Sequence, residues 1–332
     1  MFNRKIAELA ETIINTGDSP LTADEALALV GNWQQDAMDL IHCADKIRAH
    51  FKKQQAFTCT IINAKSGFCA EDCAFCAQSA HHQTNIETYD LHNADHLIEA
   101  GLAMAATGAT NYSVVTSGTA LTEAEVETVC RMARALKAQT NLTLCASLGM
   151  LSGQAACKLK EAGITRYHHN LETARSFFDQ ICTTHDYEED LQTVRLAKEA
   201  GLVVCSGGIF GLGESWAQRV ELAFTLKELD VDSMPINFLN PIPGTRLADR
   251  PLLKPLEALT CIALYRFIHP HRDIPICGGR EVTLKDFQSW VFTAGANGLM
   301  VGNYLTTQGR QLDMDMEMIT DLGMQHARKS NS

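Results

Sequence analysis

From residue 57 onward the chain alternates two hydrophobic rhythms. Short β-branched and aromatic runs fall at 57–63, 110–115, 141–146, 165–170, 202–206, 232–238, 273–277 and 297–301. Between them, apolar residues recur at helical spacing near 93–107, 122–139, 152–162, 188–200, 215–229, 255–268 and 284–294. Thr122-Glu-Ala-Glu125 has the form of a capping box and fits a helix start. The pairs Ala100-Gly101, Ala162-Gly163 and Ala200-Gly201 fit helix C-termini. Eight strands separated by seven helices require parallel pairing through right-handed crossovers. The rhythm therefore predicts an α/β chain folded as a (β/α)8 TIM-type barrel, with a doubly wound open sheet as the alternative. Residues 1–52 read as an N-terminal helical extension, with a second capping box at Thr22-Ala-Asp-Glu25. Residues 53–305 form the barrel, and 306–332 a polar, Met-rich tail with one last helix.

Strand side chains alternate, so residues two apart share a face. One face collects Cys59, Ile61 and Asn63; Asn111, Ser113 and Val115; Asn141, Thr143 and Cys145; His168, Asn170 and Glu172; Val203, Cys205 and Gly207; Pro235 and Asn237; Pro275 and Cys277. The other face carries Ile62, Leu142, Leu144, Val204 and Ile276. A barrel exterior under helices should be apolar, so the polar and thiol set faces inward. In either fold, ligands bind at the C-terminal ends of the strands.

The loop directly after the first strand is Gly67 to Ala80, GFCAEDCAFCAQSA. It sets Cys69, Cys73 and Cys76 in a C-x3-C-x2-C array. Thiolates are soft ligands that suit iron–sulfur clusters, and three of them leave one iron of a four-iron cube open to a substrate or cofactor. Phe75 is placed to cover such a cluster. A zinc knot is the competing reading. It needs four protein ligands, and only His81 and His82 stand near enough in sequence to supply the fourth. Iron–sulfur is favoured.

The chain has 332 residues, a net charge of −11 and 12 cysteines. The acidic balance argues against a nucleic-acid surface. No apolar run reaches membrane-spanning length, and the acid-bearing N-terminus does not read as a signal peptide, so cytoplasm is the expected compartment. There, cysteines point to metal or catalytic roles rather than disulfides. Cys130, Cys157, Cys182 and Cys261 lack a partner pattern and read as buried packing thiols, as do His42 and Cys43 as packing residues. Cys59, Cys145, Cys205 and Cys277 are different, because four strands aim them inward. They read equally as a second metal site or as four separate thiols. Cys205-Ser-Gly-Gly-Ile-Phe-Gly-Leu-Gly-Glu214 ends a strand and opens a helix; its glycines permit close backbone approach to a flat ligand.

These motifs resemble the radical S-adenosylmethionine (SAM) superfamily and, within it, the biotin synthase family. CxxxCxxC at Cys69–Cys76 is similar to the superfamily's cluster motif. Gly207–Glu214 resembles its adenine-contacting G-x-I-x-G-x-x-E pattern. Tyr167–Ala174, Ser233-Met-Pro-Ile-Asn237, Ala294-Gly-Ala-Asn297 and Leu305-Thr-Thr307 resemble family segments in the same order, over roughly residues 55–325. The resemblance implies a (β/α)8 barrel that inserts sulfur into dethiobiotin to form biotin. It implies a 4Fe-4S cluster on Cys69, Cys73 and Cys76 that binds and cleaves SAM, and an auxiliary iron–sulfur cluster as sulfur donor. It assigns SAM contacts to Phe75, Gly207, Ile209, Gly211, Glu214 and Glu172, and dethiobiotin contacts to Asn170, Asn237 and His168. His168 stands where the family has asparagine, and Glu172 where it has aspartate. A flavodoxin or ferredoxin reductant and a homodimer are further family expectations.

The departures concern the auxiliary cluster. Cys145 and Cys205 match two of its ligands, but Ser113 stands at the third cysteine position and Pro275 at an arginine ligand. Cys277 and Cys59 are the nearest inward thiols. The expectation is a cluster on Cys59, Cys145, Cys205 and Cys277 that differs from the usual two-iron type, with four irons as the candidate count. A family arginine for the SAM carboxylate falls at Asp190, with Arg195 or Arg131 as candidate substitutes. The alternatives are a sibling radical SAM enzyme without sulfur insertion, of hydrogenase-maturation or mutase type, and a non-catalytic iron–sulfur scaffold.

Overall fold

The computed structural model of the chain describes residues 3–106 and 109–327. Eleven short strands lie in it: β1 Gln55–Cys59, β2 Ile61–Lys65, β3 Asn111–Thr116, β4 Thr143–Ser147, β5 Arg166–His168, β6 Val203–Cys205, β7 Gly208–Phe210, β8 Ile236–Phe238, β9 Pro275–Ile276, β10 Gly298–Met300 and β11 Gln325–His326. All named pairings are parallel, in two runs, β2-β3-β4-β5-β6 and β7-β8-β9-β10-β1-β11. The runs join because β1 leads into β2 across Thr60, and β6 into β7 across Ser206 and Gly207. The result is an eight-stranded closed barrel with helices outside, as the alternating rhythm predicts. The first predicted strand is broken in two, and the fifth, at 202–206, continues after a break into β7, which lies in the glycine-rich stretch read as a turn. Each bends to pair with one neighbour low in the barrel and the other high: Cys59 lies opposite Met300, whereas Ile61 lies opposite Ser113.

The helices Ala94–Ala106, Glu123–Gln139, Gly153–Ala162, Tyr187–Glu199, Trp216–Glu228 and Pro255–Ile268 follow the predicted segments. Residue 107, the end of the first predicted segment, lies outside the described residues, as do 328–332 of the tail. Both capping boxes form, at Thr22/Glu25 and Thr122/Glu125. Gly163 ends its helix in the left-handed region. Gly101 does not end one. It lies inside the helix 94–106, where a Cβ would come within 2.5 Å of Leu136 Cδ1, so glycine lets two helices approach. The helix expected at 284–294 is also absent as a unit. Arg280–Leu284, a 3-10 turn Lys285–Phe287 and Trp290–Thr293 replace it, because Lys285 takes φ 51° and interrupts the helix.

The N-terminal helices Arg4–Thr16, Ala23–Leu29 and Trp33–Lys52 bury Ile13, Leu40, Ile41 and Ile47 in the same apolar core as the barrel. Their long member packs along Pro255–Ile268, which is apolar on all sides because it is covered on all sides. Each such aliphatic side chain contributes about 1.5–3 kcal/mol by burial. The tail adds the helix Leu312–Asp321 and then β11 beside β1, with Gln325 opposite Gln55. Among the described residues no helix is long and apolar enough to cross a membrane.

Candidate active site

The cysteine loop hangs over the C-terminal mouth of the barrel and is held by its own backbone. Cys69 N donates to Gln78 O (3.1 Å), Ala80 N to Cys69 O (2.8 Å) and Cys76 N to Cys73 O (3.0 Å). Ser117 Oγ donates to Gly67 O at 2.7 Å, pinning the loop to the end of the second barrel strand. All three thiols are half-buried. Burial pushes the Cys76 thiol up to about 11. His81 Nε2 and His82 Nδ1 bond the loop carbonyls of Ala70 (2.9 Å) and Cys76 (2.8 Å), and among the described residues neither ring joins the loop thiols in a group of three close ligand atoms.

Below the loop lies a cavity of about 390 Å³. Cys59, Cys145, Cys205 and Cys277 line it, each from a different barrel strand or strand end, together with Ser113 and Pro275. The inward parity read from the sequence is therefore the observed one. Burial raises the Cys277 thiol well above its ordinary range, and Cys59 and Cys205 add to that. Among the described residues, the only three His, Cys, Asp or Glu ligand atoms within 4.8 Å of one another belong to Glu71, Cys182 and His185. Neither cysteine set is drawn tightly enough for one bare ion. Zinc–sulfur bonds of about 2.3 Å would hold thiolates about 3.8 Å apart, so the wider spacing fits a cluster of several metals.

Arg166 enters the same cavity, one side-chain period before His168, and sequence reasoning missed it. The i, i+2 alternation that selected His168, Asn170 and Glu172 also selects Arg166 when extended one step back. Its Nη1 lies 3.5 Å from Cys205 Sγ, and its buried Nε has no hydrogen-bond partner.

Asn170 and Asn237 face the cavity and brace it. Asn170 Oδ1 accepts from Gly207 N (3.2 Å), and its Nδ2 donates to Glu172 Oε2 (3.3 Å). Asn237 Oδ1 accepts from Gly278 N (2.9 Å). His168 Nδ1 pairs with Ser147 Oγ at 3.1 Å, and burial lowers its pKa to about 4, leaving a neutral ring. Glu172 sits at φ 61° and is pushed up to about 8, first by burial and then by Asp190.

Of residues 207–214, only Ile209 lines the cavity. It joins Phe75, Phe177, Ile181, Leu212 and Leu239 in a small apolar cluster under the cysteine loop. The glycines serve the strands themselves. A Cβ on Gly207 would lie 2.0 Å from Pro235 O, and one on Gly208 2.5 Å from Glu172 O. Glu214 is buried behind the turn, accepting from Gly211 N and Gly213 N (2.9 Å each) and from Arg219 Nε (2.7 Å). Its carboxylate holds the loop that presents Ile209.

Three sequence readings need correction. Cys182 is not a plain packing thiol: its sulfur lies 3.8 Å from Cys73 Sγ and 3.3 Å from His185 Nδ1. Cys157 is exposed, on the outer face of its helix. Neither Arg131 nor Arg195 reaches the site. Both are on the surface, paired with Asp95 (2.6 Å) and Glu188 (3.0 Å). The cation beside Asp190 is His185, whose Nε2 lies 3.3 Å from it and whose Nδ1 lies 2.8 Å from Glu71. His169 Nε2 donates to the other Asp190 oxygen at 2.7 Å. Burial opposes the His185 charge, but these carboxylates and Cys182 outweigh it and raise the ring to about 11.

A Radical SAM superfamily model matches residues 64–226, and a Biotin and Thiamin Synthesis associated domain model matches 235–325. A curated protein from Syntrophus aciditrophicus named biotin synthase is 59% identical over 311 residues, covering 94% of this chain and 96% of that one. One from Geobacter metallireducens, also named biotin synthase, is 52% identical over 322 residues, covering 97% of each. Among solved structures, methylornithine synthase superposes with a TM-score of 0.83 at 19% identity, covering 96% of this chain and 97% of that one. The FeFe-hydrogenase maturase of Carboxydothermus hydrogenoformans superposes at 0.82 and 15% identity, covering 99% and 80%. The two structures agree in fold; the curated relatives agree in sequence from end to end. By that identity, this chain belongs to the biotin synthase family of radical SAM enzymes.

Proposed function

We propose that this chain inserts sulfur into dethiobiotin using two iron–sulfur clusters, a 4Fe-4S cluster with SAM on Cys69, Cys73 and Cys76 and an auxiliary cluster on Cys59, Cys145, Cys205 and Cys277. One observation carries the reading: thiols from four strands line the single cavity that Asn170 and Asn237 also face, directly beneath the cysteine loop. When bound, the two groups supply SAM cleavage to a carbon-centred radical and a sulfide source. The chain's own residues do the rest. Phe75 and Ile209 give an apolar wall for the adenine and keep water from the radical. Asn170 and Asn237 carry amides that suit a ureido ring, and neutral His168 adds a ring nitrogen beside them. The backbone of Gly207–Glu214, fixed by the buried Glu214 carboxylate, holds Ile209 in place.

The four-thiol set supports an auxiliary cluster unlike the three-cysteine, one-arginine type, with four irons as the proposed count. Family resemblance supports a flavodoxin or ferredoxin reductant, a homodimer and a cytoplasmic setting. An anaerobic assay tests the reading: reconstituted protein, SAM, dethiobiotin and reductant, with mass detection of biotin and 5′-deoxyadenosine. Both products are expected. Deoxyadenosine without biotin would favour a sibling enzyme without sulfur insertion, and neither product would favour a scaffold.

A further inference from the structure

The one cation that lines the cavity is unexplained by any ligand set. Among the described lining residues, Arg166 is the only Lys or Arg. Strand register places it: Cys145 on β4 lies opposite Arg166 on β5, and His168, two residues on, lies opposite Cys205 on β6. The guanidinium therefore stands between two of the four strand thiols. Nη1 already points at Cys205 Sγ (3.5 Å). Nε is fully enclosed and finds no acceptor in the protein. A buried guanidinium N–H without a partner is costly, of the order of 1–3 kcal/mol or more, and such a group in a binding cavity points to an acceptor that arrives with the ligand.

Resting on the four-thiol reading above, we infer that Arg166 is a positioning residue of the auxiliary site. It donates hydrogen bonds to the Cys205 sulfur and, through Nε, to an inorganic sulfide of the cluster, and offsets one negative charge there. Hydrogen bonds to cluster sulfurs and neighbouring positive charge both favour the reduced state. The planar fork also fixes which sulfide is held toward Arg166 and which is left facing the substrate amides.

The test uses the full-length protein, reconstituted anaerobically, as wild type, Arg166→Met and Arg166→Lys. Iron and sulfide are counted, and the auxiliary midpoint potential is read by redox titration with electron paramagnetic resonance. Arg166→Met is expected to keep both clusters, to shift the auxiliary midpoint to a more negative potential, and to lower biotin formed per deoxyadenosine about tenfold, the scale of one charge-assisted hydrogen bond. Arg166→Lys, which keeps the charge and loses the fork, should restore part of the midpoint shift. Two clusters in the wild type with an unchanged midpoint in Arg166→Met overturns the inference alone. Loss of auxiliary iron from Arg166→Met, with the loop cluster retained, also overturns it, since Arg166 would then be a ligand or a scaffold for one. A wild type holding only the loop cluster removes the four-thiol reading itself, and this inference with it.

Discussion

Cys73 and Cys182 face each other with their sulfurs 3.8 Å apart, although 109 residues separate them. Cys182 is buried, and hydrogen bonding from Cys73, with His185 and Thr184 behind it, lowers its thiol pKa against that burial. A thiolate beside a second thiol is set for exchange chemistry. In iron-free protein, treatment with a small aromatic disulfide should link Cys73 to Cys182, the two thiols losing two electrons and two protons as the reagent is reduced to two thiols. Peptide mass spectrometry should find that cross-link as the main product. Protein with the loop cluster loaded should resist it, and Cys182→Ala should abolish it while still binding the loop cluster.

Glu214 is the brace of the glycine-rich turn. Its side chain and that of its partner Arg219 are almost wholly buried, and Arg219 keeps a second acid, Glu257, at 2.8 Å. Removing one partner of a buried pair costs about 3–5 kcal/mol. Because Glu257 remains, Glu214→Ala should lose about 3 kcal/mol in urea unfolding, and SAM should bind more weakly as Ile209 loosens. A stability loss below about 1 kcal/mol would show that the turn holds itself without the carboxylate.

Much of this was legible before the fold. Strand parity brought Cys59, Cys145, Cys205 and Cys277 to one cavity, because barrel strands alternate and helices cover the other face. The residues that stayed hidden answer to tertiary contacts. Cys182 and His185 meet Glu71 and Cys73 only when the segment after β5 folds back under the cysteine loop, and no local spacing encodes that. The glycines of the 207–213 run looked like room for a ligand, whereas Gly207 and Gly208 make room for Pro235 and Glu172. Gly101 was misplaced for the same reason: a helix-breaking residue read locally is a packing residue once Leu136 lies across it. Arg166 lies on the same strand parity, one step before His168.

Glu125 ties the helix Glu123–Gln139 to the strand that feeds the cysteine loop. Its carboxylate accepts from Thr122 N (2.8 Å) and from Lys65 Nζ (2.7 Å). Partial burial opposes its charge, but Lys65 and Thr122 prevail and lower its pKa. A depressed folded-state pKa stabilises the fold above the unfolded value, about 4.3, and that contribution is lost as pH falls through the folded value. Glu125→Gln should therefore cost about 1–2 kcal/mol at pH 7, the scale of a cap plus a half-buried pair. The deficit against wild type should shrink below about pH 4, as denaturant titrations at several pH values will show.

The account turns on whether the four strand cysteines hold the sulfur source. The direct measurement is anaerobic iron and sulfide analysis of Cys59→Ala, Cys145→Ala, Cys205→Ala and Cys277→Ala, each assayed with SAM, dethiobiotin and reductant. Each variant should keep the loop cluster and form 5′-deoxyadenosine, lose auxiliary iron and sulfide, and make no biotin. Second-cluster content unchanged in all four would contradict the account.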